Sequence, residues 1–181
     1  VASRGLGDVY KRQVTKIHSN NGRVSGVSYC DFNGDLGKIR SEVVINCAGM
    51  WSRDLAAKNG VNVPLHACEH FYLLTEIINS INGPLPTLSD HDGHLYLRDE
   101  GGGLLIGCFE PKAKPLGLEN IPSDFAFNLL PEDWNHIDPI INIAIYRVPE
   151  LEKIGLKKML NGPESFTPDD NFLLGESPEF S

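Results

Sequence analysis

Residues 43–60 read VVINCAGMWSRDLAAKNG, and the reading of this stretch decides the fold. Val43, Val44 and Ile45 are apolar without alternation, the pattern of a strand buried on both faces, as in the parallel sheet of an α/β domain. Small residues follow at Ala48 and Gly49. Ser52 is then an N-cap candidate for a short helix that Gly60 closes. A strand, a small-residue turn and a helix bring backbone N–H groups close to a ligand at the helix start, where phosphate or another electron-rich group is favoured. The same joint is also a common packing solution, and this stretch alone does not separate the two.

Upstream, residues 14–46 alternate β-like runs with turns at Asn20-Asn21-Gly22 and Asn33-Gly34-Asp35. Asn and Gly tolerate the positive φ of tight hairpins, which predicts a meander of about three strands. Downstream, residues 63–76 (VPLHACEHFYLLTE) alternate. A strand here puts His66, Cys68, His70, Tyr72 and Leu74 on one face and Leu65, Ala67, Glu69, Phe71 and Leu73 on the other. Tyr96 and Arg98 share a face of HLYLRDE opposite Leu95 and Leu97, and Gly101-Gly102-Gly103 turns that strand into a hairpin partner, LLIGCFEP. His70, Tyr72, Tyr96 and Arg98 therefore place titratable and hydrogen-bonding groups where a plain core has aliphatic ones. The alternative is a sheet edge with polar tips in water.

Residues 132–154 carry Ile137, Ile140, Ile141, Ala144, Ile145 and Val148 at helical spacing, with Pro139 marking a new first turn. Residues 159–174 mix Gly, Pro, Asn and Asp and read as a loop, a binding loop by position but with no ligand named by its composition.

The 181 residues carry a net charge of −8, with 41% hydrophobic residues and 18 glycines. That content supports a buried core and argues against disorder or a disulfide scaffold. The acidic balance argues against nucleic acid and anionic membrane partners. No run of about 18 apolar residues occurs, nor a secretory signal at the N-terminus, so the chain reads as intracellular. Four cysteines, Cys30, Cys47, Cys68 and Cys108, show no C-x-x-C and read as reduced, mostly buried thiols. The Asp90 to His94 stretch (DHDGH) offers metal-ligand residue types, but a turn at Asp92-Gly93 explains them, and no metal site is expected.

Residues 1–13 (VASRGLGDVYKRQ) have no periodicity, resemble translated read-through of a sequencing adapter, and are expected to be foreign to the fold. Without their three cations (Arg4, Lys11, Arg12) and one anion (Asp8) the net charge moves from −8 to −10. The chain is expected to be an internal piece of a longer protein.

Bottom-up reading thus reaches an α/β fragment with a strand-Gly-helix joint and a polar-faced antiparallel sheet. The order of four motifs, VVINCAGMWSRDLA, PLHACEHFYLLTE, HLYLRDEGGGLLIGCFEP and LNGPESFTPDDNFLLGESPE, resembles the FAD-dependent dimethylglycine and sarcosine dehydrogenases among the D-amino-acid-oxidase-like flavoproteins. The resemblance implies a mixed α/β and α+β fold. Residues 14–60 would be part of a Rossmann-like FAD-binding domain, residues 61–160 an antiparallel-sheet substrate domain, and residues 161–181 a return to the first.

It implies that Asn46, Ala48, Gly49 and Trp51 lie on the cofactor side, with Val14 toward the adenine end of FAD. His70 matches the histidine of a Q-H-x-Y motif, with Glu69 in place of Gln, a departure expected to bear on substrate preference. Tyr96 matches the family's active-site tyrosine. The implied chemistry is oxidation of an N-methyl amine, with the iminium product hydrolysed to formaldehyde or trapped by tetrahydrofolate on a C-terminal domain outside this chain. The amine must first lose its proton, because an ammonium nitrogen has no lone pair to stabilise an iminium. Histidine, with an ordinary pKa of about 6.5, suits a base or relay. Tyr96 would hold the substrate, with Tyr72 beside it and Arg98 pairing the substrate carboxylate.

An electron-transfer flavoprotein is an implied partner, and the implied compartment is the cytoplasm, or the mitochondrial matrix in a eukaryote. A regulatory or scaffolding paralogue without activity, or another deaminating flavoenzyme, stands as the alternative. No G-x-G-x-x-G occurs, so the pyrophosphate site is expected upstream of Val14.

Overall fold

The computed structural model describes residues 11–116, 121, 125 and 127–179. The chain divides into two compact units, residues 1–66 with 166–181, and residues 67–165.

In the first unit, β1 (Gln13–Asn20), β2 (Arg23–Cys30) and β3 (Leu36–Arg40) form the expected antiparallel meander in the order β1-β2-β3. The β1-β2 turn places Asn21 and Gly22 at φ 51 and 78, the two left-handed residues that a two-residue hairpin needs. At the next turn the Asp31 carboxylate accepts from the Asn33 and Asp35 amides, both at 2.9 Å. Gln13 already belongs to β1, opposite Cys30, so strand structure starts inside the segment expected to be foreign. Residues 1–10 of that segment lie outside the described residues.

The expected buried strand at residues 43–45 does not form. Val43 and Ile45 are exposed, and no strand pairs with them among the described residues. An apolar run becomes a central strand only when neighbours take its backbone hydrogen bonds. A turn of 3-10 helix (Gly49–Trp51) leads into α1 (Ser52–Ala57). Ser52 is the first helical residue, buried and without a capping side-chain bond, so the N-cap expectation fails there. The C-terminal signal holds. Gly60 at φ 76 donates to Ala57 O at 3.1 Å and Val61 donates to Ala56 O at 3.0 Å, the paired bonds of a Schellman closure.

The second unit is built on a five-stranded sheet with order β5-β6-β7-β4-β8. Its strands are β4 (His66–Thr75), β5 (Leu88–Asp90), β6 (Leu95–Glu100), β7 (Gly103–Cys108) and β8 (Leu156–Phe166), and α2 (Trp134–Arg147) packs on one face. Alternation decides which side chains meet α2. Phe71, Leu73, Leu95, Leu97, Leu104, Ile106 and Met159 form the core with Ile137, Ile140 and Ala144. The other face carries His70, Tyr72, Tyr96 and Arg98, as the period-2 pattern requires.

Helix α2 starts at Trp134, capped by the Asp133 carboxylate accepting from the His136 amide at 3.1 Å, and runs through Pro139 rather than starting there. It stops at Arg147, and residues Pro149–Lys153 form a short 3-10 segment. The expected loop is half wrong: residues up to Phe166 continue β8 through Gly162 and Pro163. β8 is an edge strand, where a missing N–H costs little. Two of the four cysteines, Cys68 and Cys108, are buried, while Cys30 is half-buried and Cys47 exposed. No helix among the described residues is long and apolar enough to cross a membrane.

Candidate functional site

The second unit concentrates the candidate chemistry on the sheet face opposite α2. His70, on β4, has a side chain only 15% exposed, and its Nε2 lies 3.5 Å from Glu164 Oε2 on β8. Its ring meets the Phe109 ring at 4.9 Å between centroids, and Phe109 in turn lies 5.8 Å from the Tyr96 ring. Tyr72 and Tyr96 flank Gly107, each in register with it from its own side, Tyr72 on β4 and Tyr96 on β6. Burial raises the Tyr96 phenol above its ordinary value, and the negative charge of Glu164 adds to it. At neutral pH the phenol is therefore a neutral O–H able to donate a hydrogen bond.

Arg98 shares this face but is half-exposed, and its Nη2 donates to Glu100 Oε2 at 3.0 Å. The structure thus brings His70, Tyr72 and Tyr96 together and leaves Arg98 at the outer end, held by an acidic neighbour.

Glu164 and Phe109 are site residues that sequence reading missed. Both obey alternation. Met159 and Asn161 are buried, so 160, 162 and 164 take the opposite side of β8. Phe109 follows Leu105 and Gly107 at spacing two, just past the end of β7. Once 159–166 is read as a loop, no parity argument reaches Glu164.

Glu69 sits on the side opposite His70. Its carboxylate accepts from Asn161 Nδ2 at 2.6 Å and lies 3.2 Å from Lys114 Nζ, which pairs with Asp133 at 2.7 Å. Glu in place of Gln therefore meets a cation and anchors residues 114–116 and β8. The neighbouring Cys108 thiol donates to Glu110 at 3.3 Å and Glu110 pairs with His136 at 2.8 Å. Burial and the Glu110 charge push Cys108 far up, so it is an un-ionised thiol and a poor nucleophile. Asp90 is occupied by Arg147 and by the Gly93 amide at 3.1 Å, within the turn expected there.

In the first unit, Asn46 organises the joint. Its Oδ1 accepts from the Ala48 amide at 3.3 Å and its Nδ2 donates to Ser52 O at 3.0 Å. Gly49 has φ 56, and nothing lies within 4 Å of where a Cβ would stand. Trp51 is half-buried beside it. An open, left-handed glycine between a braced Asn and a Trp fits close approach by a flat cofactor. Val14 is 39% exposed on β1, opposite Tyr29.

The family model described as DAO, FAD dependent oxidoreductase, matches residues 1–181, and the chain belongs to that family. Among individual proteins it is 38% identical to the mitochondrial pyruvate dehydrogenase phosphatase regulatory subunit of Mus musculus, over 98% of this chain and 20% of that protein. It is 45% identical to the mitochondrial sarcosine dehydrogenase of Mus musculus, over 79% of this chain and 15% of that protein. Its fold matches the crystal structure of L-proline dehydrogenase from P. horikoshii with a TM-score of 0.68 at 21% identity, covering 93% of this chain and 41% of that one. The chain spans a fifth or less of the length of the two curated relatives.

Proposed function

We propose that this chain belongs to an oxidoreductase that uses FAD to oxidise the N-methyl group of a small methylated amino acid, dimethylglycine or sarcosine. The observation that carries the reading is the convergence of His70, Tyr72, Tyr96, Phe109 and Glu164 on one sheet face. Similarity to sarcosine dehydrogenase supports the substrate class. Asn46, Ala48, Gly49, Trp51 and Val14 are the residues that would hold the cofactor. When bound, FAD supplies the two-electron acceptor for the N-methyl C–H bond.

His70 takes the proton from the substrate ammonium, freeing the nitrogen lone pair. Glu164, 3.5 Å away, stabilises the imidazolium so formed. Tyr96 donates its neutral O–H to the substrate, and Tyr72 and Phe109 supply aromatic faces that suit a methylated ammonium. Arg98 pairs the substrate carboxylate by exchanging Glu100. An electron-transfer flavoprotein would be the electron acceptor, and tetrahydrofolate, if bound, would take up the one-carbon unit that hydrolysis otherwise releases as formaldehyde.

The test is the full-length parent, assayed with dimethylglycine and sarcosine and an artificial electron acceptor. Flavin reduction by either substrate is expected, and reduction by neither sinks the reading. The second reading, a regulatory subunit without turnover, is favoured by the 38% identity to such a subunit over nearly the whole chain. It predicts that flavin stays oxidised with every amine offered.

A further inference from the structure

Gly107 occupies the middle of β7, with Tyr72 opposite it on β4 and Tyr96 opposite it on β6. Its backbone does not require glycine, because its φ is outside the left-handed region. A glycine inside a buried strand weakens that strand, so a second reason for it is needed. The space above it supplies one. A Cβ built on Gly107 falls closer than 3.0 Å to Cε1, Cζ and OH of Tyr96, a separation that real Cβ atoms essentially never show. The phenol ring therefore lies across β7, with its hydroxyl over Gly107 on the way to β4, the strand that carries His70 and Tyr72.

We propose that Gly107 is a positioning residue for Tyr96, its missing side chain letting the phenol lie flat across β7 and present its hydroxyl to the His70 side of the sheet. This rests on the reading in which Tyr96 holds the substrate. What a methyl at 107 meets is the free end of a side chain, not backbone. Tyr96 can swing away about χ1 while the strand stays paired, so alanine at 107 removes the hydroxyl from its place and leaves the fold.

The test is a double-mutant cycle on the full-length, flavin-loaded protein with Gly107→Ala, Tyr96→Ala and the pair combined, read as kcat/KM for sarcosine and dimethylglycine. Gly107→Ala is expected to lose about 10²-fold, the scale of a displacement of about 1 Å at a reacting centre. Tyr96→Ala is expected to lose at least as much, and the combination no more than Tyr96→Ala alone, since both act on one hydroxyl. Losses that multiply, or full turnover in Gly107→Ala, overturn the proposal.

An arm independent of activity is nitration of Tyr96 by tetranitromethane, read by peptide mass spectrometry. It is expected to rise several-fold in Gly107→Ala, and an unchanged rate overturns the packing argument even in a parent that oxidises no methylated amine. If Gly107→Ala fails to fold, the combined variant decides. A folded combination supports the clash with Tyr96, and an unfolded one shows that glycine serves the strand instead.

Discussion

Among the described residues two tyrosines lie over glycines, one in each unit. In the meander Tyr29 of β2 faces Gly37 of β3, and a Cβ at Gly37 would run into the Tyr29 ring as one at Gly107 runs into Tyr96. The local device is the same: an aromatic side chain covering the bare stretch of a neighbouring strand. The surroundings differ. Tyr29 sits on a sheet with a single buried residue, Gly26, along its three strands, and the Arg12 guanidinium stands 5.3 Å from its ring. Tyr96 sits on a sheet whose other face is a packed core, among Phe109, Tyr72 and Glu164. A cross-strand tyrosine on glycine is therefore a way of packing a sheet. It becomes part of a candidate site where a histidine and a carboxylate arrive on the same face.

The sharpest way to break this comparison is to remove the histidine from each sheet. His70→Ala in the flavin-loaded parent is expected to lower the rate of flavin reduction by about 10² to 10⁴, the usual worth of a general base, with flavin retained. The meander histidine, His18, bonds Ser28 Oγ at 2.7 Å, and His18→Ala is expected to leave that rate within about twofold, read by stopped-flow absorbance. Equal losses would erase the distinction.

The next effect is on stability. Phe71, fully buried beneath α2, should cost about 3–5 kcal/mol on replacement by alanine in urea titrations, whereas half-exposed Ile39 of β3 should change the midpoint by no more than about 0.5 kcal/mol in equivalent terms. Asn161→Leu comes below that. It removes the donor that Glu69 and Pro131 O share inside the second unit, Lys114 remaining on Glu69, and about 0.5–1.5 kcal/mol is expected for the lost hydrogen bonds.

The smallest effect is electrostatic. Arg147 holds the Asp90 carboxyl below its ordinary value of 3.8, and Lys114 does the same for Asp133. A carboxyl lowered in the folded state contributes stability that is full above its unfolded value and is lost as pH falls through the folded one. Thermal melts should show stability declining below about pH 4, and Asp90→Asn should flatten that decline. A decline of the same depth in Asp90→Asn would refute the assignment.

Much of the second unit was legible because a strand with one covered face must alternate. The pattern put Phe71 and Leu73 on the face of β4 opposite His70 and Tyr72, and Leu95 and Leu97 on the face of β6 opposite Tyr96, while the strand order set β7 between those two strands. The pairs Asn21-Gly22 and Gly101-Gly102 marked hairpins for an equally local reason, the left-handed backbone that such turns need. Reading failed where the answer depended on partners. Residues 43–45 have the composition of a central strand yet take no pairing among the described residues, and residues 159–166 look irregular yet complete the sheet at its edge. Glu164 was lost with that strand. Glu69 drew attention as a departure beside His70, but its partners Lys114 and Asn161 lie far along the chain, on the opposite side of the sheet.

What the amino-acid order determined by itself is the set of faces and turns, together with the motif order that marks an FAD dependent oxidoreductase, because period, turn chemistry and motif spacing are local properties of the chain. What only the tertiary structure decided is which side chains meet: Glu164 with His70, Phe109 between His70 and Tyr96, and Gly107 beneath the Tyr96 ring. Those contacts depend on strand order and register, which are set by the packing of α2 and five strands together and are written in no single stretch of sequence.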